Sequence, residues 1–134
     1  MARAFRKVLC PLDFSPNTKL TIEAARRVAG DSGASIVLIH VVKSGATHGA
    51  EEHLRRIAKE NLKGKPTCKI EAIIGEPAAA IMQAAARHKA DLIVMATHGR
   101  TGLDHFVLGS VAERVVRTSK IPVVTIRGTE APKG

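Results

Sequence analysis

Five short apolar runs recur along the chain, each of strand length, and the stretches between them carry helical spacing. Residues 7–12 (KVLCPL) read as a first strand that ends at Asp13. Ser15-Pro16 then opens a helix, with Ser15 as N-cap and Pro16 as its first residue. Leu20, Ala24, Ala25 and Val28 give that helix an apolar stripe, and Gly30 and Gly33 close it. Residues 35–42 (SIVLIHVV) are apolar nearly throughout, as a central parallel strand covered on both faces should be. A polar loop over residues 43–50 precedes a helix over 51–62 with Leu54, Ile57, Ala58 and Leu62 inward, ended by Gly64 and Pro66. In residues 68–74, Cys68, Ile70, Ala72 and Ile74 alternate with Lys69 and Glu71, which suggests a strand nearer the sheet edge. Gly75-Glu76-Pro77 is a turn, residues 78–88 an alanine-rich helix, and residues 91–96 a fourth strand. A glycine-bearing stretch leads into a helix that runs to about Thr118, residues 123–126 form a fifth strand, and residues 128–134 read as a frayed tail.

The alternation βαβαβαβαβ predicts one α/β domain spanning residues 1–134: an open parallel five-stranded sheet with right-handed crossovers and helices on both faces. With strand order 3-2-1-4-5, the first and fourth strands flank the point where the order reverses. Ligands of such sheets bind there, outside the carboxyl ends of the strands. That places Asp13, Val41 and the 96–110 loop around one site.

The loop, ATHGRTGLDHFVLGS, carries the candidate chemistry. Glycines let backbone N–H groups approach a ligand closely, and the first N–H groups of the following helix lack partners of their own. A phosphate accepts from both sets. Gly109-Ser110 sits where the helix should start, with the Ser110 hydroxyl as an N-cap donor. A plain structural loop fits the same residues. GxxxxGK[ST] is absent, which excludes a P-loop, and no GxGxxG follows the first strand, which disfavours the usual dinucleotide site.

Composition narrows the partners. The 134 residues contain no Trp or Tyr, and Phe5, Phe14 and Phe106 are the only Phe, so the core is aliphatic. The net charge of +9 favours acidic partners. The basic residues are scattered, however, and base-stacking aromatics are scarce, so nucleic acid is not the expected partner. Cys10 and Cys68 lie in apolar runs and read as reduced, buried thiols. The N-terminus lacks a secretion signal and no run approaches membrane-spanning length, so the expected setting is cytoplasmic, away from the membrane.

Other constellations are weaker. His48 and His53 straddle a loop-to-helix boundary and make a poor metal clamp. His40 reads as a satisfied core histidine and His105 as an exposed loop residue. GxSxG is absent. Asp13 and His98 are the only candidate bases near the loop, and each has another role open to it. Arg100 suits either phosphate neutralisation or an exposed loop position. Without a dedicated base, the pattern favours binding over efficient hydrolysis, and no residue is assigned as catalytic or metal-binding.

These residues together resemble the universal stress protein family over essentially the whole chain. The family's nucleotide-binding members carry G-x2-G-x9-G-[ST], matched here by Ala96, Gly99, Gly109 and Ser110. KVLCPLDFS is similar to the family's first strand and its acidic end, GEPAAAI to the turn into the third helix, and IPVVTIR to the last strand. The resemblance implies a stress-response module that binds an adenine nucleotide, usually ATP, with magnesium or manganese as an accompanying ion and at most weak ATPase activity. It implies that Pro11, Asp13 and Val41 meet the nucleoside, Asp13 through the ribose hydroxyls and Val41 through its backbone at the adenine edge. Read from the residues alone, Asp13 also fits a helix cap and Val41 a core position. The implied phosphate contacts come from Ala96, His98, Gly99, Arg100, Gly102, Gly109, Ser110 and Val111. Ala96 departs from the motif's first glycine: at negative φ the methyl group costs little, and at positive φ or against phosphate it strains the site. The resemblance further implies a homodimer in which the last strands, Val123, Val124, Thr125 and Ile126, pair antiparallel. Two alternatives stand beside this reading: a dimeric interaction protein of the same fold without nucleotide, and a basic nucleic-acid-associated protein.

Overall fold

The strands form where the apolar runs predict them: β1 (Lys7–Pro11), β2 (Ser35–Val42), β3 (Cys68–Ile74), β4 (Leu92–Ala96) and β5 (Val123–Ile126). Between them lie α1 (Thr18–Ala29), α2 (His48–Asn61), α3 (Pro77–His88) and α4 (His105–Thr118). The structure is a computed structural model that describes residues 5–30, 33–45, 47–63, 68–97 and 105–127. The tail over residues 128–134 lies outside them. The strands pair in parallel in the order β3-β2-β1-β4-β5, as the sequence predicts.

Side chains alternate between two cores because successive strand residues point to opposite faces. Val8, Cys10, Ile36, Leu38, Leu92 and Val94 pack with Ile22 and Ala25 of α1 and Leu54 and Ile57 of α2. Leu9, Val37, Ile39, Ile93 and Met95 face the other way, against Ile81 and Ala84 of α3 and Ala112 and Val115 of α4. Both layers are aliphatic, as the composition requires.

Four local features differ from the sequence reading. Helix α1 starts at Thr18, with Asn17 as its N-cap. Ser15 instead organises a separate turn, in which its Oγ accepts from Asn17 N at 3.1 Å and its carbonyl accepts from Thr18 N at 3.0 Å. The buried stripe of α1 is accordingly Thr21, Ile22, Ala25 and Ala29, while Leu20, Ala24 and Val28 are half-buried. Shifting one position along a helix turns a side chain by about 100°. Helix α2 starts at His48, inside the stretch read as a polar loop. Helix α3 has a side-chain cap that the turn reading missed: Glu76 Oε1 accepts from Ala79 N at 2.9 Å, with Pro77 just inside the helix.

Edge strand β3 also departs in detail. Ile74 is 55% exposed, since it ends a strand that has a neighbour on one side only. Cys68 is half-buried rather than buried. Both cysteines are free. Burial, with a smaller contribution from the nearby Cys68 charge, pushes the Cys10 thiol up to about 12, so it is protonated and inert at neutral pH.

Glu71 on β3 ties the edge to the end of α3. Its carboxylate accepts from Arg87 Nη1 at 2.8 Å and meets His88 Nε2 at 2.7 Å. Partial burial raises the Glu71 carboxyl, but hydrogen bonds from His88 and Arg87, together with their charges, outweigh this and hold it below the ordinary range. A carboxyl depressed in the folded state contributes stability above its unfolded value, and that stability is lost as pH falls through the folded value. Glu71→Gln is therefore expected to melt lower than wild type at pH 7 and to lose less stability on acidification from about pH 5 downward. Thermal melts across that range check it, and parallel pH profiles would contradict it.

Candidate functional site

The order of the sheet reverses between β1 and β4, and a crevice opens there at the carboxyl ends of the strands. It encloses about 380 Å³, within the range of small-molecule sites, roughly 300–1,000 Å³. Pro11, Leu12 and Asp13 border it where β1 ends, His40, Val41 and Lys43 where β2 ends, and Met95, Ala96 and Thr97 where β4 ends. Thr18 and Thr21 of α1, Pro77 and Ile81 of α3, and Ser110, Val111 and Ala112 of α4 complete the wall.

Six residues expected at the site therefore line one crevice: Pro11, Asp13, Val41, Ala96, Ser110 and Val111. They come from β1, β2, β4 and α4 and meet only because parallel strands end at one level. Val41 also packs against the core beneath α3 and α4, so its side chain faces apolar neighbours. His98, Gly99, Arg100 and Gly102 lie outside the described residues.

The start of α4 corrects one expectation. The helix begins at His105, so Gly109 and Ser110 lie inside it and Ser110 is not its N-cap. A helix gives its first four N–H groups no partner within the helix, and Ser110 lies beyond that first turn. Residues 107, 111 and 115 are all Val at helical spacing, so the apolar periodicity runs through Gly109. The glycine masked that signal. Among the described residues, this segment brings Ser110, Val111 and Ala112 to the crevice.

Ala96 is the last residue of β4, paired in register with Ile126. Its φ is not positive, since Phe14 and Lys89 are the non-glycine residues with positive φ among those described. The departure from glycine there carries no backbone strain.

Polar groups at the rim are held by the backbone. Asp13 is exposed and its Oδ1 accepts from Ser15 N at 3.0 Å. His40 is half-buried, and its Nδ1 lies 2.7 Å from Leu12 O. A carbonyl only accepts, so Nδ1 carries the proton and Nε2 is the acceptor of the neutral ring. The core-histidine reading is therefore right in hydrogen bonding, although the residue also reaches the crevice. Thr21 Oγ1 donates to Asn17 O at 2.8 Å. Thr18 Oγ1 is buried and has no hydrogen-bond partner among the described residues.

Sequence reasoning missed Thr18, Thr21, Lys43, Ile81 and Met95. Thr18 and Thr21 stand three apart on α1, a spacing that puts two hydroxyls on one face. Ile81 and Met95 carry no such signal, because an apolar wall residue looks like core. Among the described residues, no three His, Cys, Asp or Glu side chains gather to hold a metal ion, and no helix is long and apolar enough to cross a membrane.

Against known proteins, a profile of the universal stress protein family matches residues 4–127. A universal stress protein of Methanocaldococcus jannaschii is 30% identical over 140 residues, covering 92% of this chain and 82% of that protein. The solved structure of a second universal stress protein of that organism superposes with a TM-score of 0.82 at 26% identity, over 96% of this chain and 99% of that one. A universal stress protein solved in complex with cAMP gives a TM-score of 0.74 at 25% identity, over 92% of this chain and 98% of the other.

Proposed function

The chain belongs to the universal stress protein family, and we propose that its crevice binds an adenine nucleotide, ATP, as part of a stress-response module. The observation that carries this reading is the convergence of Pro11, Asp13, Val41, Ala96, Ser110 and Val111 on one crevice at the switch point of the sheet. The similar protein solved with cAMP supports an adenine ligand. The apolar wall of Val41, Ile81 and Met95 suits a base, and exposed Asp13 suits ribose hydroxyls. The phosphates are assigned to the segment from Ala96 to Val111, with Ser110 as hydroxyl donor and His98, Gly99, Arg100, Gly102 and Gly109 as the further contacts. Magnesium or manganese would be carried on the phosphate oxygens.

The reading is of binding with slow or no hydrolysis, in a single domain over residues 1–134. Free Cys10 and Cys68 suit a reducing, cytoplasmic compartment. Mass spectrometry of the gently purified protein is expected to find carried-over adenine nucleotide, and calorimetry to give saturable heat with ATP. Absence of both would leave the interaction-protein reading in its place.

The proposal extends to assembly. Among the described residues β5 pairs with β4 alone, and it carries half-buried Val123, Val124 and Ile126. An apolar edge of this kind is a pairing surface, and a second copy would cover it through an isologous antiparallel contact. Light scattering is expected to show wild type as a dimer. Pro122 and Ile126 turn their backbone toward β4, so the Thr125 N–H faces the other way; Thr125→Pro removes that outward donor and is expected to run as a monomer. A monomeric wild type would end this part of the reading.

A further inference from the structure

We propose that Phe14 is a positioning residue for the nucleotide site: its ring, clamped between His40 and His53, holds Asp13 where it meets ribose. The inference rests on the reading of Asp13 as the ribose contact. Three observations carry it. Phe14 has φ +62°, a left-handed conformation that costs a bulky side chain free energy and persists only where surroundings enforce it. What enforces it is a stack of three rings: Phe14 lies 4.0 Å from His40 at an interplanar angle of 18°, and 4.0 Å from His53 at 29°. The backbone on either side is pinned as well. Leu12 N donates to Ile39 O at 2.8 Å, His40 Nδ1 donates to Leu12 O at 2.7 Å, and Ser15 N donates to Asp13 Oδ1 at 3.0 Å.

The left-handed residue parts the chain after β1. Asp13 borders the crevice, whereas Phe14 borders a separate hollow with His53, Ile57 and Asn61 of α2. Phe14 therefore does not line the nucleotide site, and it acts on the ligand through Asp13. His40 belongs to both places, lining the crevice while stacking on Phe14. A carboxylate on an unrestrained turn would have to be ordered when ribose binds; the clamp supplies that order beforehand.

Calorimetry on the full chain with ATP, 2′-deoxy-ATP and tripolyphosphate tests the clamp. Wild type is expected to prefer ATP over 2′-deoxy-ATP about tenfold, the value of one hydrogen bond to a charged group. Phe14→Gly removes the ring and keeps the left-handed backbone free of strain. It is expected to bind ATP about tenfold more weakly, to bring the ATP to 2′-deoxy-ATP ratio close to one, and to leave tripolyphosphate unchanged. Phe14→Tyr should restore the ratio, since the ring returns. His53→Ala, a change on α2 outside the crevice, should lower the ratio in the same direction and keeps the test open if Phe14→Gly does not fold. A wild-type ratio in His53→Ala, or equal losses for all three ligands, overturns the clamp. A wild type that fails to distinguish ATP from its 2′-deoxy form, together with an Asp13→Ala that binds ATP normally, overturns the ribose assignment and the clamp with it.

Discussion

Asp13→Ala is expected to weaken ATP binding about hundredfold while leaving tripolyphosphate affinity unchanged. Its proposed partners are two vicinal ribose hydroxyls, and a hydrogen bond to a charged group is worth roughly 1.5–3 kcal/mol. Two bonds to one carboxylate are coupled and do not add in full, so about 3 kcal/mol is expected, where each 1.4 kcal/mol is about tenfold. Inorganic tripolyphosphate has no ribose and reports only on the loop. The carboxylate also accepts from Ser15 N at 3.0 Å, so the variant loosens the turn ahead of α1, and thermal melts must accompany the titration. Asp13→Asn keeps an acceptor for Ser15 and separates the two effects. Equal losses for both ligands in calorimetry would remove Asp13 from the ribose.

Leu38→Ala is expected to destabilise the fold by about 2–5 kcal/mol. Leu38 is fully buried on β2, in register with Cys10 of β1 and Ile70 of β3. It packs in the core shared with Ile22 of α1 and Leu54 of α2. Strands on both sides and helices above restrict collapse around the void, so the cost should lie well above that of a surface change. Domains of this kind are stable by roughly 5–15 kcal/mol, so the variant loses a large share of the total. Ile74→Ala is the matched control, because Ile74 is 55% exposed and its truncation should change stability by no more than about 0.5 kcal/mol. Urea unfolding measures both. A Leu38→Ala curve lying on that of wild type would contradict the burial.

Much of the architecture was legible because parallel α/β folds write themselves into local pattern. The run SIVLIHVV has apolar residues on both faces, and β2 is indeed central between β1 and β3. The alternation in residues 68–74 pointed to the edge, where β3 lies. At the site, Asp13 and Val41 were findable because each follows or ends an apolar strand, and parallel strands end at one level. Boundaries were less legible. Ser15-Pro16 has the chemistry of a helix start, yet the turn it forms closes on itself before Thr18. Gly109 suggested a helix start at Ser110, but valines at 107, 111 and 115 continue the helical period through it. In both places two local signals competed, and the more conspicuous residue was misleading.

What the sequence determined by itself was the order of elements, the two-sided sheet and the level at which the crevice residues gather. All three follow from hydrophobic period and strand length, which are properties of neighbouring residues. The tertiary structure alone decided which residues from distant segments share a wall or an ion pair. Thr18 joins Met95 across the crevice, Glu71 meets Arg87 and His88, and Phe14 finds a histidine on each face, one from β2 and one from α2. Each of these contacts depends on how far one helix is rotated and advanced against the sheet. A rotation of about 100° per residue separates a crevice residue from a solvent residue, and that angle is set by the packing of two cores together rather than by any window of sequence.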